Sequence, residues 1–160
     1  HTNPDLVAAH PVLSELVTDD LQYDSRSAFT LSLNHRNTYT GITDKDRALT
    51  TRRFAELFSE LESSGADEVA SRKALGEEFR TPGHIPVCRE TPGGLSAREG
   101  HTELAVALAR LAGLPPVVIG AEMLQPDGDL ALTVAASRAW ALERGIPFLS
   151  GEELKAVVLQ

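Results

Sequence analysis

The residues Arg98, Glu99, Gly100, His101, Thr102 and Glu103 stand directly ahead of an apolar stretch that runs from Leu104 to Gly113. At the mouth of a helix, such side chains and the first backbone N–H groups, which have no carbonyl partner within the helix, can converge on one anion or metal ion. The helix dipole contributes only about 0.3–1 kcal/mol to an anion there. A charge-assisted hydrogen bond from Arg98 contributes about 1.5–3 kcal/mol, so Arg98 would hold a phosphate more strongly than the helix end, which sets its orientation. Gly100 would let a ligand approach the backbone, and Thr102 offers both an N–H and a hydroxyl. The same six residues are compatible with a plain helix start in which Thr102 caps and Arg98 is a solvated charge.

His101 and His84 can each be a metal ligand, a general acid or base, or a structural histidine. Both stand next to a glycine at the edge of an apolar element. Glu122 adds a carboxylate at the end of an apolar run, where open sheets gather their ligands. Histidine with one carboxylate suits Mg²⁺ or Mn²⁺ only if further oxygen ligands arrive, and no Cys/His spacing for zinc is present. His35, beside Arg36 in a polar stretch, reads as solvated. Cys88 is the only cysteine, which excludes an internal disulfide and reads as a small buried hydrophobe in a reducing cytoplasm.

These residues need elements to hold them. Residues 1–27 show no periodicity beyond a turn and read as irregular. Phe29, Leu31 and Leu33 alternate with Thr30, Ser32 and Asn34, a strand with one face toward the core. The polar run from Asn34 to Gly41 should end it. Thr43-x-x-Asp46 resembles a capping box, and Phe54, Leu57, Phe58 and Leu61 form the buried stripe of the helix that follows, stopped at Ser63-Ser64-Gly65. A second helix is expected from Ala66 to Leu75, with Gly76 as its stop. Pro82-Gly83 predicts a tight turn that aims His84 just before a strand from Ile85 to Cys88. A largely buried helix is expected from about His101 to Ala112, with Leu104, Leu108 and Leu111 on one face. Val117–Ile119 reads as a buried strand, Thr133–Arg144 as a helix ended by Gly145, Phe148-Leu149 as a short strand, and Ser150 as the start of a last helical turn.

Strands and helices thus alternate unevenly, which predicts an α/β (α+β) layered sandwich, a mixed, twisted β-sheet flanked by helices, as one domain over residues 1–160. With 160 residues and 42% hydrophobic side chains, one core is expected. A formal charge of −8 argues against a nucleic-acid surface, and no apolar run is long enough for a membrane-spanning helix.

Four segments taken together, Thr40 to Ala48, Phe79 to His84, Arg98 to Glu103 and Glu122-Met123, resemble the motifs of 3,4-dihydroxy-2-butanone 4-phosphate synthases in their order. The resemblance runs from about Tyr23 to the C-terminus. The wording around Tyr23, Asp24, Arg26 and Asn34-His35-Arg36 resembles the archaeal type. It implies a lyase that converts D-ribulose 5-phosphate to L-3,4-dihydroxybutan-2-one 4-phosphate and formate in riboflavin biosynthesis. It also implies Mg²⁺ (or Mn²⁺) as cofactor and a homodimer with sites near the subunit interface; the lone Cys88 already reads as cytoplasmic. Carried over by residue, it makes His101 a metal ligand, gives the phosphate and substrate to Arg98, Glu99, Gly100, His101, Thr102 and Glu122, and makes His84 and Glu122 catalytic. Thr40, Asp44 and Arg47 fall in a further motif without an assigned role.

The chain departs from the family pattern in one respect. The family's acidic Arg-Glu-x-Glu-x-Asp loop has no counterpart here, since Val17-Thr18-Asp19-Asp20 lacks its glutamates and arginine. The expectation is that an N-terminal segment carrying the loop precedes His1 in the native protein. The alternative is a non-catalytic phosphate-binding or dimerisation module that has lost the loop.

Overall fold

The computed structural model describes residues 11–16 and 27–159. The sequence readings at Val17 to Asp20 and at Tyr23, Asp24 and Arg26 lie outside the described residues. Within the leading stretch, Pro11–Leu16 forms a short helix, α1, in place of the expected irregular segment. Pro11 occupies its first position, where a missing N–H costs nothing. The chain divides into two compact units, His1–Thr91 and Pro92–Gln160.

In the first unit, β1 (Phe29–His35) and β2 (Phe79–Cys88) pair antiparallel, while α2 (Asp44–Ser64) and α3 (Glu68–Glu78) connect them. α2 begins as its sequence predicts: Thr43 caps it by accepting the Asp46 N–H, and Gly65 ends it in the left-handed region, at φ 63°. Three residues of its stripe meet the core, with Leu57 buried and Phe54 and Leu61 packed on Leu33, Leu57 and Phe79, whereas Phe58 is half-buried outside that cluster. α3 runs through Gly76 to Glu78 instead of stopping there. The Gly76 carbonyl accepts from Arg36 Nε at 2.9 Å, and the chain leaves the helix only where Phe79 enters the strand.

The strand pair departs from expectation in three ways. Phe29 and Leu31 are exposed, so only the end of β1 meets the core. The polar residues Asn34 and His35 continue the strand and are buried. His35 is therefore not a solvated side chain. Its ring stands edge-on to Phe79 at 5.4 Å, its Nδ1 accepts the Asn37 N–H, and its Nε2 lies 3.5 Å from Glu78. Burial is tolerated because each polar atom has a partner, including the backbone N–H of His35, which donates to buried Thr50. Finally, Pro82-Gly83 makes no simple turn ahead of a strand. Asn34 pairs with Arg80 and Leu33 with Ile85, so Thr81, Pro82, Gly83 and His84 bulge out of one continuous β2. The Thr81–Pro82 peptide is cis.

In the second unit, a 3₁₀ turn (Gly94–Ser96) precedes α4 (His101–Leu111), followed by α5 (Val134–Glu143) and α6 (Gly151–Val158). α5 starts on its Thr133 cap and is followed by Gly145 at φ 63°, as predicted. α6 extends the single expected turn and starts on a full capping box between Ser150 and Glu153. Leu95, Ala107, Ala109, Ala141 and Leu154 are buried. The buried face of α4 differs from the expected leucine face: Ala107, Ala109 and Glu103 point inward, whereas Leu108 and Leu111 are exposed. Val117–Ile119 and Phe148-Leu149 form no strands; only an isolated bridge, Leu124 with Ala131, is found among the described residues of this unit. A strand is completed by a partner, and none pairs with these runs among the described residues. The α/β class holds, with an antiparallel two-stranded sheet among the described residues rather than a mixed one. Cys88 is exposed, at the end of β2, not buried.

Candidate functional site

His84 sits at the end of the bulge that interrupts β2, and its side chain is exposed. The bulge is tied to β1 at Ser32, whose carbonyl accepts from the Thr81 hydroxyl at 2.8 Å and whose hydroxyl accepts the Gly83 N–H at 3.1 Å, and two further features hold it. Gly83 packs against the backbone of Leu33 and Asn34 so closely that a Cβ there would overlap it. Asn34, only 3% exposed, accepts the His84 N–H at 2.8 Å and places its own Nδ2 at 3.1 Å from His84 Nδ1. The same Nδ2 donates to the Thr40 carbonyl at 3.3 Å. Gly41, at φ 91°, leaves room for that amide, because a Cβ there would run into it. Asp46 Oδ2 then accepts the Gly41 N–H at 2.8 Å, tying the Thr40-Gly41 loop to the first turn of α2. Arg80 reaches the same loop through Thr38 and Tyr39. Thr40, Gly41 and Asp46 thus belong to the support of His84.

A depression of about 400 Å³ in this unit lies elsewhere, lined by His35, Arg36, Asn37, Leu49, Arg53, Glu77 and Glu78. Its Arg53 is already engaged by acids. Arg53 forms a bidentate pair with Glu78, at 3.0 and 2.7 Å, and also contacts Glu56 and Glu60. These partners raise the Arg53 pKa, and Arg53, with a smaller effect from His35, holds the Glu78 carboxyl below its ordinary value.

In the second unit, the stretch singled out by its chemistry caps α4. Gly100 is the N-cap and no side chain caps the helix, so Thr102 does not act as the cap. Arg98 is not a solvated charge: its Nη1 pairs at 2.5 Å with Glu103, whose side chain is fully buried. That pair crosses directly over Gly100, where a Cβ would meet the Arg98 guanidinium and lie 2.8 Å from Glu103 Oε2. The close approach that glycine permits is made by the protein's own guanidinium, which is thereby set at the helix N-terminus. His101 is exposed and Thr102 half-buried. Glu99 pairs with Lys155 of α6 at 2.8 Å, and Glu152 and Glu99 raise the Lys155 pKa. Glu122 is exposed, in an irregular segment after Val117–Ile119. His84 belongs to the first unit, and Arg98, Glu99, Gly100, His101, Thr102 and Glu122 to the second.

The donor set for Mg²⁺ is incomplete. His101 offers one imidazole nitrogen, while Glu103 is engaged by Arg98 and Glu99 by Lys155. No three His, Cys, Asp or Glu side chains converge among the described residues. A hard, oxygen-seeking cation needs more than that, so the described residues alone do not fit it as a complete site.

Sequence reasoning missed Asn34 and Glu103. In sequence, Asn34 reads as the polar phase of an alternating strand and Glu103 as one of six polar or flexible residues at the helix mouth, with nothing to pair it with Arg98. The signal available was the glycine beside each partner: Gly83 and Gly41 flank the Asn34 amide, and Gly100 lies under the Arg98–Glu103 pair.

The family model of 3,4-dihydroxy-2-butanone 4-phosphate synthase matches residues 9–157, which include every residue of both clusters. A protein of that name from Archaeoglobus fulgidus is 46% identical over 138 residues, covering 85% of this chain and 55% of that protein. The riboflavin biosynthesis protein RibBA of Bacillus cytotoxicus is 37% identical over 105 residues, 66% of this chain and 23% of that protein. A crystal structure of the Candida albicans 3,4-dihydroxy-2-butanone 4-phosphate synthase is similar with a TM-score of 0.66 at 31% identity, over 82% of this chain and 60% of that one. The chain therefore spans between half and two thirds of the length of these synthases.

Proposed function

Because the chain belongs to the 3,4-dihydroxy-2-butanone 4-phosphate synthase family, we propose that it works as such a lyase in riboflavin biosynthesis, turning D-ribulose 5-phosphate into L-3,4-dihydroxybutan-2-one 4-phosphate and formate. The observation that carries this reading is the match over residues 9–157, which takes in His84, Arg98, His101 and Glu122 together. The relatives named as synthases favour it over a non-catalytic module.

The chemistry asks for a proton to leave the carbon next to a ketone, for the negative charge that follows to be stabilised, for water to be lost, and for a water to add back so that C4 departs as formate. Glu122, an exposed carboxylate, suits proton abstraction, and His84, held on its bulge, suits proton transfer to or from oxygen. Arg98, anchored by Glu103 over Gly100, suits the phosphate, with the backbone of Glu99, Gly100, His101 and Thr102 at the N-terminus of α4 as the remaining donors. Mg²⁺ or Mn²⁺ belongs to the same reading, with His101 as the ligand contributed here, and would supply Lewis-acid polarisation of the substrate oxygens. A homodimer with the site near the subunit interface and a cytoplasmic location complete it. No helix among the described residues is long and apolar enough to cross a membrane.

Glu122→Gln tests the assignment of the base. The exposed position should leave thermal stability within about 0.5 kcal/mol of the parent. Formate release should fall by about 10²–10⁴-fold, the usual contribution of a positioned acid or base. Turnover near the parent's would remove Glu122 from the reaction.

A further inference from the structure

We propose that Asn34 is a positioning residue that fixes the His84 ring as its Nε2–H tautomer, so that His84 serves as a hydrogen-bond and proton donor through Nε2. The role in turnover rests on His84 acting in the proposed lyase reaction; the tautomer does not.

The side-chain amide of Asn34 can be oriented without reference to the imidazole. Its Oδ1 faces the His84 backbone N–H at 2.8 Å, a group that only donates. Its Nδ2 faces the Thr40 carbonyl at 3.3 Å, a group that only accepts. Both contacts demand the same orientation, and a flipped amide would set donor against donor and acceptor against acceptor. With Nδ2 fixed, the atom it meets 3.1 Å away, His84 Nδ1, must accept. In a neutral ring the proton then resides on Nε2, since the hydrogen bond at one nitrogen decides the other. Asn34 is 3% exposed, so water does not readily replace it in this role.

The surroundings reinforce this clamp from both sides. Gly83 brings the bulge against the backbone of Leu33 and Asn34, and Gly41 leaves the space that the amide fills. The Gly41 loop is in turn held by Asp46. Thr40-Gly41 supplies Asn34 with the carbonyl that its Nδ2 needs and the space that its amide fills. A His84 that donates from Nε2 leaves carbon deprotonation to Glu122, which separates the two proton-transfer roles.

The test is long-range ¹H–¹⁵N NMR of the histidine-labelled protein in alkaline buffer, with the His84 ring assigned from its disappearance in His84→Gln. An unheld ring samples both tautomers; here Nδ1 should be the unprotonated nitrogen throughout. Asn34→Asp keeps the shape and the acceptor for the His84 N–H but presents a second acceptor to Nδ1, so the ring proton should move to Nδ1. Asn34→Ala, which adds no charge, should give a mixture, and serves if the aspartate variant does not fold. In folded Asn34→Asp, kcat for formate release should fall by about 10²–10⁴-fold with a much smaller change in KM. A parent ring protonated on Nδ1, or an Nε2–H ring unchanged in the folded variants, overturns the proposal. A moved proton with unchanged kcat upholds the clamp and instead removes His84 from the reaction.

Discussion

Arg98 carries the largest single expectation at the scale of one residue. Its guanidinium is fixed over Gly100 by a carboxylate from which solvent is excluded, a pre-positioned cation rather than a mobile one. Arg98→Ala should weaken binding of ribulose 5-phosphate by about ten- to a hundredfold, from a charge-assisted bond of about 1.5–3 kcal/mol. The same substitution leaves Glu103 buried without this partner and will also lower stability. Comparing ribulose with ribulose 5-phosphate by calorimetry separates the two effects, because only the phosphate difference reports on recognition. If the unaltered protein binds both sugars equally, Arg98 has no such role. The six residues from Arg98 to Glu103 are legible in sequence as chemically unusual. What they do not disclose is that two of them bind each other, because a buried acid at helix position 103 looks, letter by letter, like a solvated one.

At the scale of elements, the Arg53–Glu78 pair links α2 to the end of α3, one residue before β2 begins. Glu78 has a folded pKa below its ordinary 4.5, chiefly through the hydrogen bonds from Arg53. A depressed carboxylate contributes stability that is fully present above its unfolded pKa and is lost as pH falls through the folded value. The acid limb of the stability curve should therefore start below about pH 4.5 and be shallower in Arg53→Met. At neutral pH that variant should lose about 1–2 kcal/mol, a charged hydrogen-bonded pair discounted for partial solvent screening. Urea melts across pH would show this; parallel curves for the two proteins would mean that the pair contributes nothing. The helix boundaries at Thr43, Gly65, Thr133 and Ser150 are legible because caps act within one turn of themselves, whereas the expected stop at Gly76 is overrun and Thr102 does not cap. Strands are less so. Val117–Ile119 has the composition of a strand but no partner among the described residues, and the four-residue excursion of β2 is defined only by its pairing with β1.

For the whole molecule, family membership and the α/β class are readable from ordered motifs that no single residue would establish. Two supporting side chains, Asn34 and Glu103, become visible only once each glycine can be seen against what fills its empty space. The central claim is that the protein cleaves a sugar phosphate between C4 and its neighbours. Ribulose 5-phosphate labelled with ¹³C at C4, incubated with the protein and Mg²⁺ and followed by NMR, tests it most directly. Labelled formate should accumulate in step with an unlabelled four-carbon phosphate. Labelled ribulose 5-phosphate that binds yet persists, or a label retained in the four-carbon product, would contradict that claim.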